Sequence, residues 1–137
     1  DALLIGVLNG FFYIDSTGKP TFANSVPAGT TTSVDYNTGS NNITAFVIDN
    51  PNQEYVVKAD DAITQAGFGL VTSYNINNWT ASTNKDGQSI ATLDIASPAS
   101  TKMFSLVRSA NDPENKDLSA AGANVIVTIS MASSLYN

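Results

Sequence analysis

The 137-residue chain has no cysteine and no histidine. That excludes disulfides, thiolate nucleophiles, zinc sites built on Cys or His, the usual haem ligands, and any Ser-His or Cys-His dyad. Charge is also scarce: only 13% of residues are charged, well below the usual share of about a quarter. The six cations, Lys19, Lys58, Lys85, Lys102, Arg108 and Lys116, are scattered singly against twelve acids, for a net charge of −6. Phosphate recognition needs clustered cations, so nucleic acid is not the expected partner, and an anionic membrane surface is excluded for the same reason. No apolar run reaches the roughly 18 residues of a membrane-spanning helix. The apolar stretch Ala2–Leu8 lacks a basic leader and is too short for a signal peptide. Repeats, heptads and low-complexity tracts are missing as well.

Asn, Ser and Thr, with 15, 15 and 14 residues, take the place of charge. The expected surface is polar but mostly uncharged, which suits packing in a crowded assembly. Hydrophobic residues make up 42% of the chain, enough for a real core. The length predicts one domain over residues 1–137.

Strand-like segments separated by turn residues run along the chain. Leu3–Leu8 and Phe11–Ile14 flank Asn9-Gly10, which predicts either a tight hairpin or a bulge within one long strand. A turn over Asp15–Pro20 leads to a strand at Thr21–Ala23. The polar stretch 24–42 reads as a long loop. Thr44–Ile48 reads as a buried strand, and Asp49–Asn52 as a turn fixed by Pro51. In Tyr55–Ala59 the alternation puts Tyr55, Val57 and Ala59 on one face, with Glu54, Val56 and Lys58 on the other.

Asp60–Gln65 is the best candidate for a single helical turn, capped by Asp60 or Asp61 and stopped by Gly67 and Gly69. Strands are expected at Leu70–Tyr74, Ser89–Ile95, Met103–Arg108 and Val125–Met131. The last has the cleanest alternation, with Val125, Val127, Ile129 and Met131 on one face. The pattern predicts an all-β fold, an antiparallel β-barrel or β-sandwich with at most one short helix.

Carboxylates are the only groups available for acid–base chemistry. Glycoside hydrolysis needs two of them facing each other. Asp60 and Asp61 point to opposite faces if extended, whereas Asp49 and Glu54 flank a turn and can meet. Exposed turn acids are the commoner outcome. Asp94 interrupts an apolar strand, and its expected role is to cap backbone or pair with a cation.

The run from Asp35 resembles a calcium loop but has Gly39 at a ligand position and Phe46 in place of the bidentate Glu. The loop Asp112–Asp117 could hold at most a weak surface calcium. Gly18-Lys19 is not a phosphate loop, because Pro20 follows. No metal or cofactor is therefore expected. Asn42-Ile43-Thr44 and Asn78-Trp79-Thr80 match the glycosylation pattern, as chance would produce in so Asn- and Thr-rich a chain. Trp79 lies in a polar stretch near Tyr74. The two form either an exposed stacking pair for a sugar or partner, or a lid over the barrel end.

Two segments carry a family resemblance. One is Ile5-Gly6-Val7-Leu8-Asn9-Gly10-Phe11-Phe12-Tyr13, followed by Asp15 and Gly18-Lys19-Pro20. The other is Thr44-Ala45-Phe46-Val47-Ile48-Asp49-Asn50-Pro51, followed by Tyr55-Val56-Val57-Lys58-Ala59-Asp60. Together with Ala91-Thr92-Leu93-Asp94 they resemble small virion proteins of tailed phages, especially those of marine and cyanobacterial hosts. The chain departs from that group at Asn50, where Asp is frequent, and at Lys58, where Gln is frequent.

The resemblance implies a non-enzymatic, cofactor-free decoration (cement) protein on the outer surface of the capsid. Its partner would be the major capsid protein, and it would act as a dimer or trimer. Multivalent attachment around a symmetry axis would turn weak contacts into firm binding and stabilise the closed shell by mass action. The expected contact residues are Leu3, Leu4 and Phe11 near the N-terminus, Asn50 and Pro51 in the turn, and Tyr74 and Trp79. The alternative is an extracellular β-sandwich binding module, carbohydrate-binding or adhesin- or pilus-like, favoured by the Asn/Ser/Thr bias, the two sequons and Trp79.

Overall fold

The computed structural model describes residues 3–15, 17–25, 43–64, 67–78 and 89–135. Among the described residues nine strands make the fold all-β: β1 (Val7–Ile14), β2 (Pro20–Ala23), β3 (Thr44–Ile48), β4 (Glu54–Lys58), β5 (Gly69–Tyr74), β6 (Ile76–Asn77), β7 (Thr92–Leu93), β8 (Phe104–Ser109) and β9 (Asn124–Ile129). All strand pairs within the sheets are antiparallel. Among the described residues no sheet closes into a barrel. The chain divides into two compact units, one made of Asp1–Ile5 with Asn50–Asn137 and the other of Gly6–Asp49.

The larger unit is built on a four-stranded sheet in the order β4-β9-β8-β5. Its centre is β9, where Val125, Val127 and Ile129 are buried and Ile126 and Thr128 are half-buried. This is the period-two pattern expected from the sequence, up to Ile129. Beyond it the alternation fails: the strand ends, Ser130 is buried and Met131 is 63% exposed. The register places Tyr55 and Leu106 opposite Val127, and Val57 opposite Val125. Side chains from three strands therefore meet on one face.

The two-stranded sheet β6-β7 adds Leu93, which joins Ala59, Ile63, Tyr74, Leu106, Val125 and Val127 in the buried cluster. The predicted faces of β4 hold, with Tyr55, Val57 and Ala59 inward and Glu54, Val56 and Lys58 exposed. Two expectations fail here. Ser89–Ile95 yields only the two strand residues of β7.

No helix forms over the described part of Asp60–Gln65, because both aspartates cap other backbone. Asp61 Oδ1 accepts the Ala62 amide at 2.7 Å, and Asp60 Oδ1 accepts the Ile95 amide at 2.9 Å. Asp60 also donates its amide to the Leu93 carbonyl at 3.1 Å. It thus buckles the end of β4 to the segment around β7, a long-range bond that local helix propensity cannot match.

The smaller unit is a three-stranded sheet, β2-β1-β3. Asn9-Gly10 lies inside β1, where the register against β3 shifts between Leu8 and Gly10. Of the two readings of that dipeptide the bulge is the one formed. The hairpin turn falls at Asp15–Pro20 instead. There Asp15 Oδ1 accepts the Thr17 and Lys19 amides at 2.9 and 3.0 Å, and Gly18 supplies φ +83°. These bonds, led by the Thr17 hydroxyl, hold the Asp15 carboxyl below its ordinary range. Strand β3 has the predicted bounds but not the predicted burial: Thr44 through Val47 are exposed and Ile48 is half-buried. Tyr13 is the buried hydrophobic residue of this unit among those described.

Candidate functional site

Leu3 and Leu4 do not start a strand. Leu4 makes an isolated parallel bridge to Ser134. Its amide donates to the Ser133 carbonyl at 2.6 Å, and its carbonyl accepts the Leu135 amide at 2.9 Å. The segment is thereby fixed on the larger unit, with Leu4 half-buried and Leu3 and Ile5 exposed at 53% and 52%. The chain it pairs with also exposes apolar side chains, Leu135 at 46% and Met131 at 63%.

Three buried serines fix the 99–102 and 130–134 segments. Ser130 Oγ and Ser133 Oγ both donate to the Lys102 carbonyl, the second at 2.8 Å. Ser73 Oγ donates to the Ala99 carbonyl at 2.6 Å and accepts the Lys102 amide at 2.9 Å. Each hydroxyl satisfies loop backbone that the sheet ladder cannot reach. This cluster is not legible in the sequence, because serine in so Ser-rich a chain reads as surface.

Asn50 and Pro51 are exposed, as expected, but Asn50 first does structural work. Its side chain accepts the Asn52 amide at 2.9 Å and its carbonyl accepts the Gln53 amide at 3.1 Å. Tyr74 is a correction. It is 2% exposed, belongs to the core cluster, and donates its hydroxyl to the Gly67 carbonyl at 3.1 Å. Burial pushes its phenol upward in pKa. A Cβ on Gly67 would come within 2.8 Å of that hydroxyl, so glycine leaves it room. Tyr74 is thus no surface anchor. Trp79 and the calcium-like run from Asp35 lie outside the described residues.

The acids are drawn into local structure. Glu54 meets Arg108 in a bidentate pair, both oxygens at 2.7 Å. Arg108 holds the Glu54 carboxyl below its ordinary value. Asp112 Oδ1 accepts the Glu114 amide at 2.9 Å and Oδ2 accepts the Asn124 side-chain amide at 2.8 Å. Asp117 Oδ1 accepts the Ser119 hydroxyl at 2.6 Å and its amide at 3.0 Å. Both carboxyls are held low by those bonds. Among the described residues no three acidic groups gather to hold a metal. At Asp94 the expected cap comes from elsewhere: the carboxylate that binds this segment's backbone is that of Asp60.

On the smaller unit, Phe11 is half-buried and helps line an open cleft of about 320 Å³ with Asn9, Gly10, Phe22, Ala23, Asn24 and Phe46. Phe22 and Phe46 are 74% and 44% exposed. Their rings lie 21° from parallel with centroids 6.2 Å apart, and Phe22 also packs on Phe12 at 4.8 Å. Sequence reading named Phe11 alone of these residues as a contact.

No family model matches the chain, and neither does any curated protein or solved structure.

Proposed function

We propose that this protein is a virion structural protein: a decoration protein on the outer capsid surface that binds the major capsid protein and stabilises the shell. The observation that carries the reading is apolar surface on fixed backbone. Leu3 and Ile5 are half exposed, yet Leu4 between them is locked by hydrogen bonds to both Ser133 and Leu135. Hydrophobic side chains held rigidly in water, beside exposed Met131 and Leu135, mark a surface that a partner covers. Preordering lowers the entropy lost on docking. The scarcity of charge fits a protein packed against neighbours, and dimeric or trimeric attachment would multiply a modest single contact.

The experiment is co-sedimentation of purified protein with shells stripped of it, comparing the wild type with the double variant Leu3→Ser, Ile5→Ser. The expected result is an affinity loss of about tenfold or more with an unchanged circular dichroism spectrum. Equal binding by the double variant would remove the N-terminal segment as the docking surface.

A further inference from the structure

Gly10 poses a question that the backbone does not answer. Glycine in a strand interior is unfavourable and needs a reason. At Gly6 and Gly18 the reason is visible: a Cβ on Gly6 would strike the Ile48 carbonyl, and Gly18 has φ +83°. Gly10 has neither constraint. It is not among the positive-φ residues, so the bulge beside it does not require glycine. A Cβ there would meet only the Ala23 carbonyl oxygen, at an ordinary 3.4 Å. What the missing side chain does is keep open the floor of the cleft beside Phe22 and Phe46.

We infer that this cleft is a binding site for a neutral pyranose ring, a single residue of a glycan. Its size, about 320 Å³, is at the small end of ligand sites and suits one ring rather than a folded segment. Phe22 offers an exposed aromatic face on which the C–H side of a sugar can stack. Asn9 and Asn24 are among the lining residues, and an asparagine amide can both donate to and accept from hydroxyl groups. Among the described residues no charged one lines the cleft, which matches an uncharged ligand and disfavours sialylated, uronic or phosphorylated ones. Sequence reading offered a sugar as one of several roles for Trp79; the cleft is instead formed within the Gly6–Asp49 unit. The inference stands apart from the docking surface at Leu3 and Ile5, and either can fail without the other.

The test is an amide-resolved NMR titration of the full chain with methyl glucoside, galactoside, mannoside and N-acetylglucosaminide, with glucuronate as the charged control. Two variants follow: Phe22→Ala removes the stacking face at a mostly exposed position, and Gly10→Ala fills the floor with a methyl that the backbone accommodates. The expected result is millimolar binding of at least one neutral glycoside, with shifts centred on the Gly10, Ala23 and Asn24 amides. Each variant should weaken it about tenfold while the fold is retained, with Phe22→Ala lowering the melting temperature by no more than about 4 °C. No shift for any neutral glycoside, shifts centred elsewhere, or binding that survives both substitutions would overturn the inference. So would tighter binding at these amides by a proline-rich peptide than by any glycoside.

Discussion

The two units use the same strand chemistry to opposite ends. In the larger unit, β4, β8 and β9 turn Tyr55, Val57, Leu106, Val125 and Val127 toward one another, and the last three are almost wholly buried. In the smaller unit, β1, β2 and β3 are as rich in aromatic and β-branched residues. Yet Leu8, Phe22, Phe46 and Val47 remain 44–74% exposed. One sheet consumes its apolar face in a core, whereas the other leaves apolar side chains exposed on both faces. Apolar content alone therefore does not separate a stabilising strand from a presenting one; what lies across each face decides.

The sharpest way to break that comparison is truncation on each side of it. Leu106→Ala empties a fully buried site touched by β9, and it should cost about 2–5 kcal/mol in equilibrium denaturation. Phe22→Ala removes a larger side chain but should cost only about 0.5–1 kcal/mol, mainly its pairing with Phe12. Comparable losses for the two would show that the smaller sheet is a core and not a display. Between them falls Ser130→Ala, which removes one of the two hydroxyls on the Lys102 carbonyl and should cost about 1 kcal/mol.

Acid gives a gentler test. Asp15 of the smaller unit and Glu54, Asp112 and Asp117 of the larger are all held below their ordinary values. Carboxyls depressed in the folded state stabilise it above their unfolded pKa, near 3.8 for Asp and 4.5 for Glu. That contribution is lost as pH falls through the folded values. Thermal melts should therefore be flat from neutrality to about pH 5 and decline below it, and Glu54→Gln should shrink the decline. The smallest effect is expected at Ser105. Its buried hydroxyl has no hydrogen-bond partner, so Ser105→Ala should be neutral or slightly stabilising.

Strand positions were legible in the sequence because alternation and turn residues are local signals. The bounds of β3 and the faces of β4 match the sequence reading, and the bulge at Asn9-Gly10 is one of the two forms it allowed. What was not legible depends on contacts distant in sequence. Asp60 reads locally as a helix cap but bonds the Ile95 amide 35 residues away. Tyr74 reads as a surface aromatic in polar company but closes the core over Gly67. Thr44–Ile48 has a buried composition but an exposed setting.

Of the expected contacts, Leu3, Asn50 and Pro51 lie at the surface, and Leu4 and Phe11 are half-buried. The cleft at Gly10 escaped notice because a glycine's missing side chain has no signature until its neighbours are placed.

The most direct test of the proposed role is quantitative mass spectrometry of gradient-purified virus particles from the source of this chain. The account predicts a copy number that scales with the major capsid protein. Absence from purified particles would contradict it.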